Sequence, residues 1–545
     1  MNREKLRPAR AGAVWLVLVA VALNASALFL NPTISKNLSF SVDFAAPTGK
    51  YVTPVWRALN IWDISQVPGE LADVNAFKAR YPAIDTIVLM TATGGRPSWS
   101  WYTLSNDYVY RHLNGTLWYN FTHLFAATDL IVAAGFKIVL VIGNVPHALA
   151  NKTTFTVADY GAFEALTLPP ANYTEYAWYI GNMTAACVAR YGLPEVSSWE
   201  FRLMTEPDNR DWWTATAGEY VSLWLSTFGP LKAQVPAARI VFGNQAWHDD
   251  LTFMETVLES VKAANASLLP DTVSFSYYHD LRSPETPGDL QQLVARWEAF
   301  LAGMQLGKPV DITCEEGMIL VDEDGNRLWG GDGTEMGAAW DAWMLASVEG
   351  TSFRRFVQWS PQYDNWLGTR NYVHLAAERM AGTQLVSMEP RNTFLFSSFL
   401  RVGGFSAKNE SAGVYRTMIY QYSPVRGKLQ QPHVDLDITG LPAGTYNVTE
   451  YRIDPTRHNW FNEWLVASTG LSPRPDCSRW DLSIGSAYDW SALVGPWTAF
   501  KATHVDPKRL IPTSSSVVTV GTDGRAARRV LLDANCVVFL EISRS

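Results

Sequence analysis

The sequence predicts an α/β fold, a (β/α)8 TIM barrel followed by a C-terminal β-sandwich. Three observations predict it. From about residue 50 to residue 390, short apolar runs alternate with helix-like stretches, and eight such units fit a closed barrel. No glycine-rich phosphate loop follows the first run, which argues against an open doubly wound sheet. After about residue 400 the helical period gives way to alternating runs broken by Gly and Pro turns.

The elements follow in order. The opening, MNREKLRPARAGAVWLVLVAVALNASALFL, places basic residues before an apolar run and then Ala25-Ser26-Ala27. That is the layout of a secretory leader over residues 1–27, the other reading being an uncleaved N-terminal anchor with a lumenal body. Residues 28–49 contain NLSFSVDF, whose alternation predicts a strand joining the later sandwich. The barrel is expected over residues 50–395. Its strands are expected at Thr53–Leu59, Asp85–Met90, Lys137–Gly143, Trp199–Met204, Arg239–Gly243, Val273–Tyr278, Pro309–Thr313 and Arg354–Trp359. Helical segments such as NYTEYAWYIGNMTAACVARYG and LQQLVARWEAFLAG lie between them. The sandwich is expected over residues 396–545, from SAGVYRTMIYQYS, HVDLDITGLPAGTYNVTEYRID, SSVVTV and NCVVFLEI.

Composition narrows the partners. A chain of 545 residues that is 48% hydrophobic and 18% charged reads as globular, with room for more than one domain. A net charge of −8 argues against nucleic acid or an anionic membrane surface as the main partner. The 23 Trp, 22 Tyr and 24 Phe suit stacking on sugar rings, although most of that load builds core. Beyond the leader, nine sequons start at Asn37, Asn114, Asn120, Asn151, Asn172, Asn182, Asn265, Asn409 and Asn447, as expected of an N-glycosylated protein that is secreted or lysosomal. The cysteines Cys187, Cys314, Cys477 and Cys536 lack CxxC spacing, so neither a zinc site nor a cofactor is expected. Cys477 and Cys536 are read as a disulfide, Cys187 and Cys314 as buried thiols.

The chemistry-bearing stretch is WEFRLMTEPDNRDWW, Trp199 to Trp213. It puts Glu206 at the end of the fourth barrel strand, where barrel enzymes carry their reacting groups. The seventh strand, PVDITCEEG, ends in Glu315 and Glu316. Two carboxyls across a barrel mouth are what glycoside hydrolysis needs, one to protonate the leaving oxygen and one to attack the anomeric carbon. The alternative for such residues is structural pairing with arginine.

Four stretches resemble glycoside hydrolase family 39, and within it the α-L-iduronidases: WYNFTHLFAATDLIVAAGFK, RYGLPEVSSWEFRLMTEPD, KPVDITCEEG and LPAGTYNVTEYRID. The resemblance implies a retaining O-glycosidase acting on uronic-acid-containing glycans by double displacement. A glycosidase of the same mechanism on another sugar, such as a β-xyloside, and an inactive glycan binder are the alternatives. It implies Glu206 as acid/base and Glu315 as nucleophile, with Glu316 as the fallback. Asp364 in QYDNW resembles the family's substrate-binding aspartate, and His279 in SYYHD a subsite histidine. Two departures bear on the sugar. Thr205 stands where the family has the asparagine before its acid/base glutamate. The second strand lacks the Arg-x-His contact pair, leaving Arg370 as the cation assigned to a uronate.

Overall fold

The computed structural model describes residues 38–97, 100, 107–161, 164–280, 290–321, 335–358, 369–391, 401–422, 432–459, 509–533 and 535–545. The leader, Asn37, Asp364 and Cys477 lie outside the described residues.

The chain enters on β1 (Leu38–Tyr51) and then builds the barrel. Its strands are β2 (Ala58–Asp63), β3 (Thr86–Thr91), β6 (Lys137–Ile142), β7 (Glu200–Leu203), β8 (Arg239–Val241), β9 (Thr272–Asp280), β10 (Asp311–Val321) and β11 (Phe353–Gln358). They pair in parallel in that order, and β11 returns to β2 to close the ring. Each strand is followed by helix, including Thr122–Ala133, Tyr173–Tyr191, Ala217–Gln234, Thr252–Asn265, Leu290–Met304, Glu335–Val348 and Arg370–Glu378. The first strand begins later than the sequence suggests, because Pro54 and a turn at Val55–Trp56 occupy the expected start. A short hairpin, β4 (Val109–Arg111) and β5 (Leu117–Tyr119), is inserted after β3.

Strand parity divides the side chains. Leu59, Ile61, Ile87, Leu89, Ile138, Leu140, Phe201, Leu203, Val273 and Phe275 point outward into the core beneath the helices. Ala58, Trp62, Val88, Met90, Val139, Val141 and Val357 form a separate cluster inside the barrel. Period-two alternation thus fills two cores from one sheet. The interior from β7 round to β11 is polar instead, and the candidate site grows from that half.

Nine strands form the second sheet, ordered β17-β16-β19-β14-β13-β12-β1-β15-β18. The remaining members are β12 (Gln384–Pro390), β13 (Arg401–Asn409), β14 (Val414–Tyr422), β15 (His433–Thr439), β16 (Gly444–Ile453), β17 (Ser514–Val520), β18 (Ala526–Leu531) and β19 (Cys536–Arg544). The sheet doubles over one apolar core: Phe40 and Val42 of β1, Leu436 of β15, Ile419 of β14 and Leu540 of β19 all belong to it. Phe44 meets Tyr415 edge-on at 5.0 Å across this core. β12 lies inside the span expected for the barrel, yet it pairs with β1 and β13. The second domain therefore starts near residue 384 rather than 396. Cys536 is a free, fully buried thiol facing the sheet core, and Cys477, its expected disulfide partner, lies outside the described residues. Cys187 and Cys314 are buried thiols. No helix among the described residues is long and apolar enough to cross a membrane.

Candidate active site

The site lies at the C-terminal ends of β7 to β10. After β7 the chain turns through Met204 and Glu206, both at positive φ, 59° and 42°. A left-handed backbone at a non-glycine residue costs roughly 1–3 kcal/mol and is held only where its surroundings insist on it. Here Pro207 ends the strand, and Gly243 of the neighbouring strand end packs against it. A Cβ on Gly243 would lie 2.6 Å from the Leu203 carbonyl oxygen, so glycine is required for this approach. The strained turn aims the Glu206 carboxyl into the barrel mouth. Its Oε1 accepts from Ser276 Oγ at 2.7 Å and its Oε2 from Asn209 Nδ2 at 3.0 Å. Burial raises the Glu206 pKa, and the Asp208 charge adds to this, while Ser276, Asn209 and the Trp212 side chain oppose it. Trp212 also meets Trp62 edge-on at 5.8 Å, so indoles wall this side.

The two glutamates of β10 part company. Cys314 pairs with Phe275 of β9 and Glu316 with Ser276, which leaves Glu315 as an extra residue in the ladder. Regular alternation would send neighbours to opposite faces; the bulge turns both inward. Glu315 points to the barrel floor, where its Oε1 accepts from Arg355 Nε at 2.9 Å and Nη2 at 2.7 Å. Arg202 Nη1 lies 3.4 Å from its other oxygen. Arg355 continues to Glu200 at 2.8 Å.

Glu316 points to the mouth. Its Oε2 accepts from Tyr278 Oη at 2.6 Å. Burial first, then the Glu206 charge, push its pKa up to about 8, against the opposing pull of Arg202, Tyr278 and Asn244. Carboxyls coupled in this way titrate as a pair. Among the described residues neither Glu206 nor Glu316 forms an ion pair. The structure therefore brings Glu206 together with Glu316, not with Glu315. Glu315, expected as the nucleophile, is committed to two guanidiniums at the floor.

The other expected residues divide similarly. Thr205 is buried beside Glu206, with its Oγ1 accepting from Arg202 Nη2 at 3.2 Å. The backbone of His279 pairs with Ile319 near the end of β9. Arg370 is sequestered between helices Glu335–Val348 and Arg370–Glu378: its Nε donates to Asp341 Oδ2 at 2.8 Å, and it lies over the Trp340 ring. That ion pair, shared by His374 at 3.1 Å, removes Arg370 from any role with a uronate. Arg96 at the mouth is paired to Asp63 at 2.7 Å.

Sequence reading missed Asn244, Ser276 and Tyr278. A signal was present, since Ser274, Ser276 and Tyr278 share one face of a strand otherwise rich in aromatics. The floor was missed too, although Glu200, Arg202 and Arg355 are charges at inward positions of buried strands and so demanded partners.

Comparison with known proteins agrees with this frame. Residues 101–279 match the family model of glycosyl hydrolases family 39. A beta-xylosidase of Geobacillus stearothermophilus is 27% identical over 207 residues, and one of Caldicellulosiruptor saccharolyticus 29% over 125. These matches cover 34% and 23% of this chain, and 40% and 25% of those proteins. The chain is thus aligned with less than half the length of either curated relative. A family 39 enzyme from Xanthomonas axonopodis pv. citri superposes with a TM-score of 0.66 at 16% identity, covering 95% of this chain and 100% of that one. The bacterial orthologue of human α-L-iduronidase gives 0.62 at 12% identity, with 93% and 84% covered. At such identities the likeness carries the fold.

Proposed function

From this likeness to glycoside hydrolase family 39 as premise, we propose that the chain is a retaining O-glycosidase with Glu206 as acid/base and Glu316 as nucleophile. One observation carries the reading: the buried Glu316 carboxyl and the half-buried Glu206 carboxyl share a hydrogen-bonded cluster on the seventh barrel strand and just past the fourth, with no ion pair of their own among the described residues. Burial and mutual charge keep one proton on the pair. In the substrate-free site burial favours the protonated form of Glu316; the reactive form has that proton shifted to Glu206, with Arg202, Tyr278 and Asn244 then stabilising the Glu316 carboxylate. Glu206 then protonates the glycosidic oxygen as that bond breaks. Glu316 bonds to the anomeric carbon, and water activated by Glu206 later releases the sugar.

The sugar is proposed to be neutral, of the β-xyloside type. Arg96, Arg202, Arg355 and Arg370 each already face a carboxylate, so a uronate would compete for a matched cation. The names of the two curated relatives support the same reading. Export with N-glycosylation is proposed alongside it; the described sequon asparagines are exposed apart from Asn409, which is half-buried.

The test is a panel of aryl glycosides that includes β-xylosides and α-L-iduronides, with a fluoro-sugar inactivator of the preferred sugar. Turnover of the xyloside with label on Glu316 is expected. Preference for the iduronide would restore the uronic-acid reading, and label on Glu315 would reverse the nucleophile assignment.

A further inference from the structure

Asn244 lies just after β8, at the close approach that Gly243 permits, and its side chain is fully buried. Its Nδ2 donates to Ser276 Oγ at 2.8 Å, and that hydroxyl donates to Glu206. The same amide acts on Glu316, favouring its ionised form. One side chain therefore touches the surroundings of both carboxyls. Its acceptor is unspent: Asn244 Oδ1 has no hydrogen-bond donor among the described residues, and neither has Glu316 Oε1. Buried acceptors without donors are costly and uncommon. Two in one cluster mark a place for a ligand rich in hydroxyl donors.

Thr205 does not occupy that place. Its hydroxyl oxygen is held from below by Arg202 at 3.2 Å. A sugar whose anomeric carbon sits between Glu206 and Glu316 carries its 2-hydroxyl on the adjacent carbon. That hydroxyl becomes a stronger donor as positive charge develops at the ring, so an acceptor there gains most in the transition state.

Resting on the glycosidase reading above, we propose that Asn244 reads the substrate 2-hydroxyl through Oδ1, in place of an amide at Thr205. The amide is thereby moved from the fourth strand end to the fifth. Substrates are restricted to sugars with a free 2-hydroxyl.

The test pairs residue with hydroxyl. Wild type, Asn244→Ala and Thr205→Ala are assayed on aryl β-xyloside and its 2-deoxy counterpart, with thermal melts to verify folding. Asn244→Ser serves if the alanine variant does not fold. Wild type is expected to prefer the 2-hydroxy sugar strongly. Loss of Asn244 is expected to lower that preference about tenfold or more, the weight of one good hydrogen bond. Thr205→Ala should leave the preference within about threefold, because its hydroxyl faces the floor. The proposal is overturned if Asn244→Ala slows both sugars alike, which would make Asn244 only a support for Ser276. It is also overturned if the preference is lost with Thr205 instead. Absence of turnover by the wild type on the whole aryl panel would remove the glycosidase reading itself, and this assignment with it.

Discussion

At the barrel floor Glu200 and Glu315 lie against guanidiniums, whereas one layer up, among the described residues, Glu206 and Glu316 accept hydrogen bonds only from hydroxyls, amides and an indole. All four are glutamates on, or just beyond, the same two strands. At the floor, burial alone would raise Glu200, but Arg355 and Arg239 bring its pKa below the ordinary value. At the mouth both pKa values rise. Matched buried charge reads as architecture; a buried carboxyl left without a cation of its own is held ready to exchange a proton or attack.

The sharpest way to break this contrast is to exchange the effects of the adjacent pair. Glu316→Gln is expected to lower kcat by about four orders of magnitude or more in initial-rate assays, as removal of a nucleophile does. Glu315→Gln should instead cost about 3–5 kcal/mol in urea unfolding, because Arg202 and Arg355 lose a buried counter-charge. The folded fraction should still turn over. Retained activity in Glu316→Gln with lost activity in Glu315→Gln would invert the two layers.

A smaller effect is expected at the acid. Glu206→Gln should slow substrates with poor leaving groups by about 10²–10⁴ and activated aryl glycosides far less. Equal losses on both kinds would exclude proton donation by Glu206.

The pH dependence of stability comes next. Folding raises Glu316 from 4.5 to about 8, so it favours the protonated form. Its contribution is complete below pH about 4.5 and is lost as the pH rises through about 8. The substrate-free protein should therefore become less stable over that window. Glu316→Gln should flatten the curve and raise Tm at pH 8 by a few degrees (about 2–4 °C). Glu206 and buried Glu349, itself raised to about 8, leave some slope behind. A Glu316→Gln curve parallel to wild type would contradict an uncompensated carboxyl at the mouth.

The least effect on turnover is expected from Arg370→Met. Asp341 would lose its buried partner, and calorimetry should show a lower Tm. The kcat/KM of the folded protein on a neutral glycoside should stay within about twofold, the scatter expected of a change distant from the chemistry. A selective loss on a uronide would return Arg370 to the site.

Much of this was legible in the chain. Eight apolar runs spaced by helices gave the barrel, because parity and period report burial directly. The position of Glu206 followed from the Pro207 stop. The choice between Glu315 and Glu316 was not legible, since a bulge has no fixed signature and one residue of slip changes which face a side chain takes. Arg370 misled because an arginine shortly after the last strand looks available until the helix carrying Asp341 is placed. Thr205 stands out in the sequence, but its neighbour across the sheet, Asn244, is 39 positions away and its proximity depends on the strand order.

β1 has a consequence for the order of assembly. Phe40 lies opposite Pro390 on one side and Leu436 on the other, so a strand made before the barrel sits between strands made after it. Closing so long a loop is slow, and the barrel is completed within it. A nascent chain therefore carries β1 as an unpaired edge for most of translation, with Phe40, Val42 and Phe44 lacking the core they later enter. Such an edge is a site of mispairing between chains. Emergence of β12 and β15, rather than completion of the barrel, becomes the moment at which β1 finds its partners.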